Sequence, residues 1–154
     1  MGQGMPHPLG TAALSTAQPV IEAQAALCAA DAAVRHAQSL GVRINVAVVD
    51  PSGALAAFAR MPGAPLHSVD IAIDKAYTSA SFGLPTSAWK AELALHSEAV
   101  REGLVLRPRF VAFGGGLPIL EAGRRIGGIG VSGGSEAQDE AIARAGLQAL
   151  GIET

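Results

Sequence analysis

The sequence predicts a single α/β (α+β) domain built on an antiparallel sheet. Three observations predict it: two hairpin signatures, helical stripes of period three and four around them, and a length of 154 residues with 49% hydrophobic and 16% charged side chains. A chain of that length buries a real core, and disordered chains are instead poor in apolar residues and rich in charge. Residues 1–14 read as a flexible lead-in: they carry glycine and proline, with neither the charged n-region nor the long apolar stretch of a signal peptide. Residues 15–154 read as the domain.

A first helix is expected from Ser15 or Thr16 to Gly41, with the stripe Val20, Ala23, Leu27, Ala30, Val34 and Ala37. The β-branched run Ile44–Val49 then meets Asp50-Pro51-Ser52-Gly53, which has Asp, Pro and Gly where a type I turn with a glycine bulge requires them. The returning strand runs from Ala54 to Arg60. A second helix starts with Ser68 as cap and buries Val69, Ala72, Ile73, Ala76 and Ala80. A shorter helix, 86–95, and a charged link, 98–109, precede a third strand, 110–113, which Gly114-Gly115-Gly116 breaks. Residues 119–121 and 124–131 form a second hairpin about Ala122-Gly123. Ser135 and Gln138 then make a capping box opening a last helix that ends near Gly151. The strands number five.

Glycine is the marked feature, with ten of 19 falling between Gly103 and Gly134. Glycines inside a strand weaken pairing, and commonly mean that another backbone, a helix or a ligand comes very close. Gly128-Ile129-Gly130-Val131-Ser132-Gly133 matches the G-x-G-x-x-G dinucleotide pattern only formally. A Rossmann unit needs a parallel strand after the following helix, and the 21 residues beyond Gly133 hold a helix and no crossover. A small anion could meet free N–H groups in that loop, but Glu136, Asp139 and Glu140 crowd it with negative charge.

Lys75 is the leading candidate for chemistry. On the second helix Asp70, Asp74 and Ser81 share a polar side, whereas Lys75 falls among Ile71, Thr78, Ser79 and Phe82, with no acid three or four residues away. It either snorkels or meets a partner or ligand from elsewhere in the fold. Arg60, at a strand end, and His67, just before the helix, could share its neighbourhood. His36 reads as a solvated residue, and the single Trp89 as buried in the core or at a subunit contact rather than stacked on a ligand.

Several classes are excluded. A net charge of −2 with no Lys/Arg cluster speaks against nucleic acid, and no apolar run reaches the roughly 18–20 residues needed to cross a bilayer. The lone Cys28 rules out an internal disulfide and a cysteine-based zinc cluster, and suits the cytoplasm. The four histidines stand about thirty residues apart with no ligand-spaced pair, so no metal site is expected.

The order of the motifs resembles the GlcG/HbpS family. It is carried by Val46-Ala47-Val48-Val49-Asp50 with Gly53 and Leu55, Arg60-Met61, Ile71-Ala72-Ile73-Asp74-Lys75-Ala76, Gly115-Gly116-Leu117-Pro118-Ile119, Ile126 to Gly134, and Gln138-Asp139-Glu140. This chain has Pro62 where many relatives carry an acid, so no role needing a carboxylate there carries over. The resemblance implies a profilin-like domain with a five-stranded antiparallel sheet flanked by helices, in a homo-oligomer often reported as an octamer. Members include a haem-binding redox-sensor accessory, the haem-binding C-terminal domain of a cobalamin adenosyltransferase, and proteins encoded beside glycolate or aromatic catabolic enzymes. The resemblance assigns no axial haem ligand to a residue of this chain.

Three functions are therefore expected, in this order. The first is a binding protein for haem or a related small cofactor, with Lys75, Gly115, Gly116, Gly133 and His67 as the binding residues. The second is an enzyme acting on a carboxylated or carbonyl substrate, with Lys75 and Arg60 holding negative charge and Ser132 or Asp139 assisting. The third is a catalytically silent oligomer whose Lys75 is ion-paired across a subunit boundary.

Overall fold

The computed structural model describes residues 8–154, so the first half of the expected lead-in lies outside the described residues. Four strands form one antiparallel sheet: β1 (Asn45–Val49), β2 (Leu55–Arg60), β3 (Gly116–Glu121) and β4 (Arg124–Ser132), in the order β2-β1-β4-β3. Helices α1 (Ala23–Leu40) and α5 (Glu136–Gln148) cover one face, and α2 (Ser68–Phe82) covers the other. A 3₁₀ turn (Thr86–Ala88), α3 (Trp89–Leu93) and α4 (Glu98–Leu104) link α2 to β3.

The first hairpin forms as the sequence expects. Gly53 sits at φ 88°, its N–H donating to Asp50 O, while Asp50 Oδ1 accepts from Ser52 N at 2.8 Å, Ser52 Oγ at 2.6 Å and Ala54 N at 3.1 Å. The Ser52 hydroxyl holds the Asp50 carboxyl below its ordinary range, so Asp50 is a turn acceptor and nothing in its surroundings points to catalysis. In the second hairpin Ala122 (φ 49°) and Gly123 (φ 76°) are both left-handed, as a two-residue type I′ connection requires. Pro118 lies on β3, an edge strand, where a missing N–H costs no ladder bond.

The two faces of the sheet differ in composition. Val46, Val48, Ile129, Val131, Leu117 and Ile119 point toward α1 and α5, whose small side chains Ala26, Ala29, Ala33, Ala37 and Ala143 close on them. The opposite face presents Ala47 and Val49 with Gly128 and Gly130. A Cβ on Gly130 would lie 2.1 Å from Ala72 O, one on Gly128 2.4 Å from Ala76 O, and one on Gly116 2.6 Å from Lys75 O. The strand glycines thus exist because the backbone of α2 rests directly on β3 and β4, which is the close approach of a helix anticipated from their positions.

Three expectations need correction. The first helix begins at Ala23 rather than Ser15 or Thr16, because the preceding chain is extended and pairs Ile21 N with Ile126 O at 3.0 Å. Its buried residues are Ala26, Ala29, Ala30, Ala33 and Ala37; of the expected stripe Ala30 and Ala37 are buried and Val34 packs on the core, whereas Val20, Ala23 and Leu27 are exposed. The charged link contains α4, capped by Ser97, whose Oγ accepts from Val100 N.

The third correction is to the sheet, which has four strands and not five: residues 110–113 form none. Their polar backbone is satisfied otherwise. Thr78 Oγ1 donates to Arg109 O at 2.9 Å and accepts from Val111 N at 3.1 Å, so one hydroxyl replaces a ladder rung. Thr78→Val, which keeps shape and removes both bonds, is expected to cost about 1–3 kcal/mol in urea unfolding.

Candidate functional site

Lys75 is 1% exposed and is the largest fully buried residue among those described. Its position is forced by the glycines: with α2 seated on bare backbone, the four-carbon stem has no route outward and runs along β4 to the strand's end. There Nζ donates to Val131 O at 2.8 Å and to Asp139 Oδ2 at 3.0 Å. Asp139 belongs to the first turn of α5 and accepts Gly134 N at its other oxygen, 2.8 Å away. The loop N–H groups that could have received an exogenous anion are thus taken by the chain's own carboxylate.

The lid over the ammonium is the segment 113–116. Gly115, at φ 126°, passes so close that a Cβ there would meet Nζ at 2.6 Å. Two side chains pin this segment: Glu136 Oε1 accepts Gly114 N at 2.7 Å, and Thr86 Oγ1 accepts Gly116 N at 2.8 Å. Phe113, 45% exposed, sets its ring centroid 5.0 Å from Nζ, so a half-exposed aromatic ring faces the buried cation.

Burial pushes the Lys75 ammonium below the ordinary lysine range, against the attraction of Asp139 and Glu136. Burial likewise raises the Asp139 carboxyl, against Lys75 and the Gly133 and Gly134 N–H groups. Both shifts favour the uncharged forms, so a proton passed between the two groups costs less here than in water. The pair can give and take one proton across a 3.0 Å hydrogen bond. A buried ion pair is seldom the most stable filling for a core, which makes this pair a candidate for function.

Lys75, Asp139, Gly115, Gly116 and Gly133 are therefore brought together, and Ser132 adjoins them as the residue after Val131, 4% exposed. Arg60 and His67 are not. Arg60 is exposed at the end of β2 and donates to Ala64 O at 2.6 Å. His67 is exposed immediately before α2, eight residues or about 12 Å of helix rise from Lys75. The partner of Lys75 belongs to its own chain, not to a neighbouring subunit as the silent-oligomer expectation required.

A second feature lies across α2. Tyr77, Phe82, Leu104 and Phe110 wall a cleft of about 190 Å³ whose mouth carries Arg107 and Arg109. Arg109 stacks on Tyr77 at 3.6 Å and donates to Asp74 Oδ1 at 3.1 Å. Trp89, 3% exposed, backs the cleft through edge-on contacts with Phe82 (4.7 Å) and Phe110 (4.9 Å), the core role expected of it. Sequence reasoning missed both arginines as binding residues, having assigned them to a charged link; the alternation of Leu, Arg and Pro in Leu104 to Phe110 is the signal there.

This architecture and the sequence agree with a described family model, haem degrading protein HbpS-like, which matches residues 21–148. The chain belongs to the HbpS-like family. Among curated relatives it is 37% identical over 125 residues to the corrinoid adenosyltransferase PduO of Salmonella typhimurium, covering 80% of this chain but only 37% of PduO. Among solved structures, ORFY of Klebsiella pneumoniae superimposes with a TM-score of 0.85 at 28% identity, covering 94% of this chain and all of that one. A PduOC complex with haem superimposes with a TM-score of 0.79 at 34% identity, covering 88% of this chain and 98% of the other. This HbpS-like chain thus shares the α+β fold with an antiparallel sheet flanked by helices.

Proposed function

We propose that this HbpS-like protein binds haem, or a cofactor of the same flat, apolar, carboxylate-edged kind, at a face shared between copies of the chain in the cytoplasm. The observation that carries the reading is the makeup of the Tyr77–Phe110 cleft: aromatic walls suited to a planar ring, with the Arg107 guanidinium suited to a carboxylate and Arg109 beside it, its charge shared with Asp74. The family and the haem complex of a relative support it. Haem fits these residues in part. A cleft of about 190 Å³ falls below the roughly 300–1,000 Å³ of sites that enclose such ligands, so a second copy would cover the remaining face. Tyr77 is the one residue lining the cleft of a type that ligates haem iron.

Titrating the purified protein with haemin is expected to give a shifted Soret band at a stoichiometric ratio. Arg107→Ala/Arg109→Ala is expected to weaken binding by about tenfold or more, the loss of one or two charge-assisted hydrogen bonds. A spectrum that stays that of free haemin at every ratio overturns the proposal.

A second reading, an enzyme for a small carboxylated or carbonyl substrate, is favoured by the Lys75–Asp139 pair beneath Phe113.

A further inference from the structure

The ammonium of Lys75 has three N–H donors and spends two of them, on Val131 O and Asp139 Oδ2. The ring of Phe113, half in solvent, lies 5.0 Å from Nζ on a segment whose next three residues are Gly114, Gly115 and Gly116. Gly114 and Gly115 carry no Cβ to restrict the turn ahead of β3; Glu136 and Thr86 fasten its two ends by side-chain hydrogen bonds, and Val131 N donates to Gly115 O at 2.9 Å between them. A buried amine, a proton partner in contact and an aromatic cover are the parts that a reactive amine needs.

The charge of the surroundings selects the ligand. Asp139 and Glu136 act on Lys75, and Glu140 comes within 3.4 Å of where a Gly114 Cβ would be. Arg144 is paired with Glu140, leaving the centre acid-rich, so a second anion would be repelled. A small neutral molecule meets no such barrier. We infer that Lys75 is a carbonyl-capturing amine, forming an imine between Nζ and a small neutral aldehyde or ketone admitted beneath Phe113, with Asp139 carrying the protons.

The atoms balance without any further reagent. Lys75 passes a proton to Asp139; the free amine adds to the carbonyl carbon, forming the C–N bond, while the carbonyl oxygen takes the proton back from Asp139. Asp139 then removes a proton from nitrogen and delivers it to the hydroxyl, which leaves as water. The product is a protonated imine, still paired with the Asp139 carboxylate. Val131 O, which accepts from Nζ at 2.8 Å, holds the nitrogen in place throughout.

This deepens the enzymatic reading, and its failure would leave the haemin titration untouched. The chain supplies its own control, because its only other lysine is Lys90, exposed on α3. The folded protein is treated at neutral pH with propanal and cyanoborohydride, which reduces any imine to a stable alkylamine, and the two lysine peptides are quantified by mass spectrometry. Each unit by which an amine's pKa is lowered gives about tenfold more free base, so Lys75 is expected to be alkylated well ahead of Lys90. Unfolded chains cannot produce that preference, since both lysines are then equivalent. Phe113→Ala, which removes the cover and keeps the pair, is expected to speed the reaction at Lys75 several-fold, and Asp139→Asn to slow it. Alkylation confined to Lys90 and the α-amino group, or a Lys75 rate indifferent to both substitutions, overturns the inference.

Discussion

Lys75→Met is expected to lower the unfolding free energy by about 3–5 kcal/mol, because it strands the Asp139 carboxylate in a site where only the Gly133 and Gly134 backbone N–H groups remain to meet it. The double variant Lys75→Met/Asp139→Leu should recover most of that loss, since well-packed apolar groups commonly match a buried pair in stability. Urea unfolding of the parent, both single variants and the double variant closes the cycle. A single variant within about 1 kcal/mol of the parent would mean that the pair behaves as an exposed one. The pH dependence carries the same signature. The raised Asp139 carboxyl favours the folded state fully below its ordinary 3.8 and loses that contribution as pH climbs through its folded value. The depressed Lys75 amine contributes fully above 10.5 and loses it as pH falls through its folded value. Stability should therefore dip between the two folded values, and the dip should vanish in the double variant.

Gly130→Ala is the second large effect. The added methyl would sit 2.1 Å from Ala72 O and 2.5 Å from Ala76 N, both backbone atoms of a helix that cannot yield locally. The helix must lift from the sheet, at a cost of about 3 kcal/mol or more, or roughly 6–12 °C in melting temperature for a domain of this size. Gly103→Ala reverses the sign: nothing lies within 4 Å of its Cβ position inside α4, and the change should add roughly 0.5–1 kcal/mol. Thermal melts of the two variants separate close packing from a general intolerance of glycine replacement.

What the sequence made legible was local. Asp50-Pro51-Ser52-Gly53 specifies its turn by residue type, and the Ser135–Gln138 capping box is a pattern of four residues; both appear in the structure with the expected hydrogen bonds. The oddity of Lys75 was legible too, since a helical wheel shows no acid three or four residues away on its own helix. Its partner was not, because Asp139 lies 64 residues away and periodicity carries no information across that distance. The strand expected at 110–113 failed for a related reason. Phe110 and Val111 have strand-forming side chains, but the hydroxyl of Thr78 claims the backbone groups on either side of Phe110, and no local pattern reveals so distant a competitor. The phasing of α1 went partly astray because alanine, small enough to be buried or exposed, outnumbers the bulkier residues that usually mark the inner side.

Helix α4 buries none of its residues, yet the stretch that follows it supplies Arg107 and Arg109 to the aromatic cleft. One wall of the candidate binding cleft consequently follows a helix with no buried residue and is tied to α2 chiefly through Arg109. Any guest captured there must also still that wall, and the lost conformational freedom of the wall offsets part of the contact energy. Affinity at this cleft would then depend as much on how firmly a neighbouring copy braces residues 98–109 as on the contacts the guest itself makes.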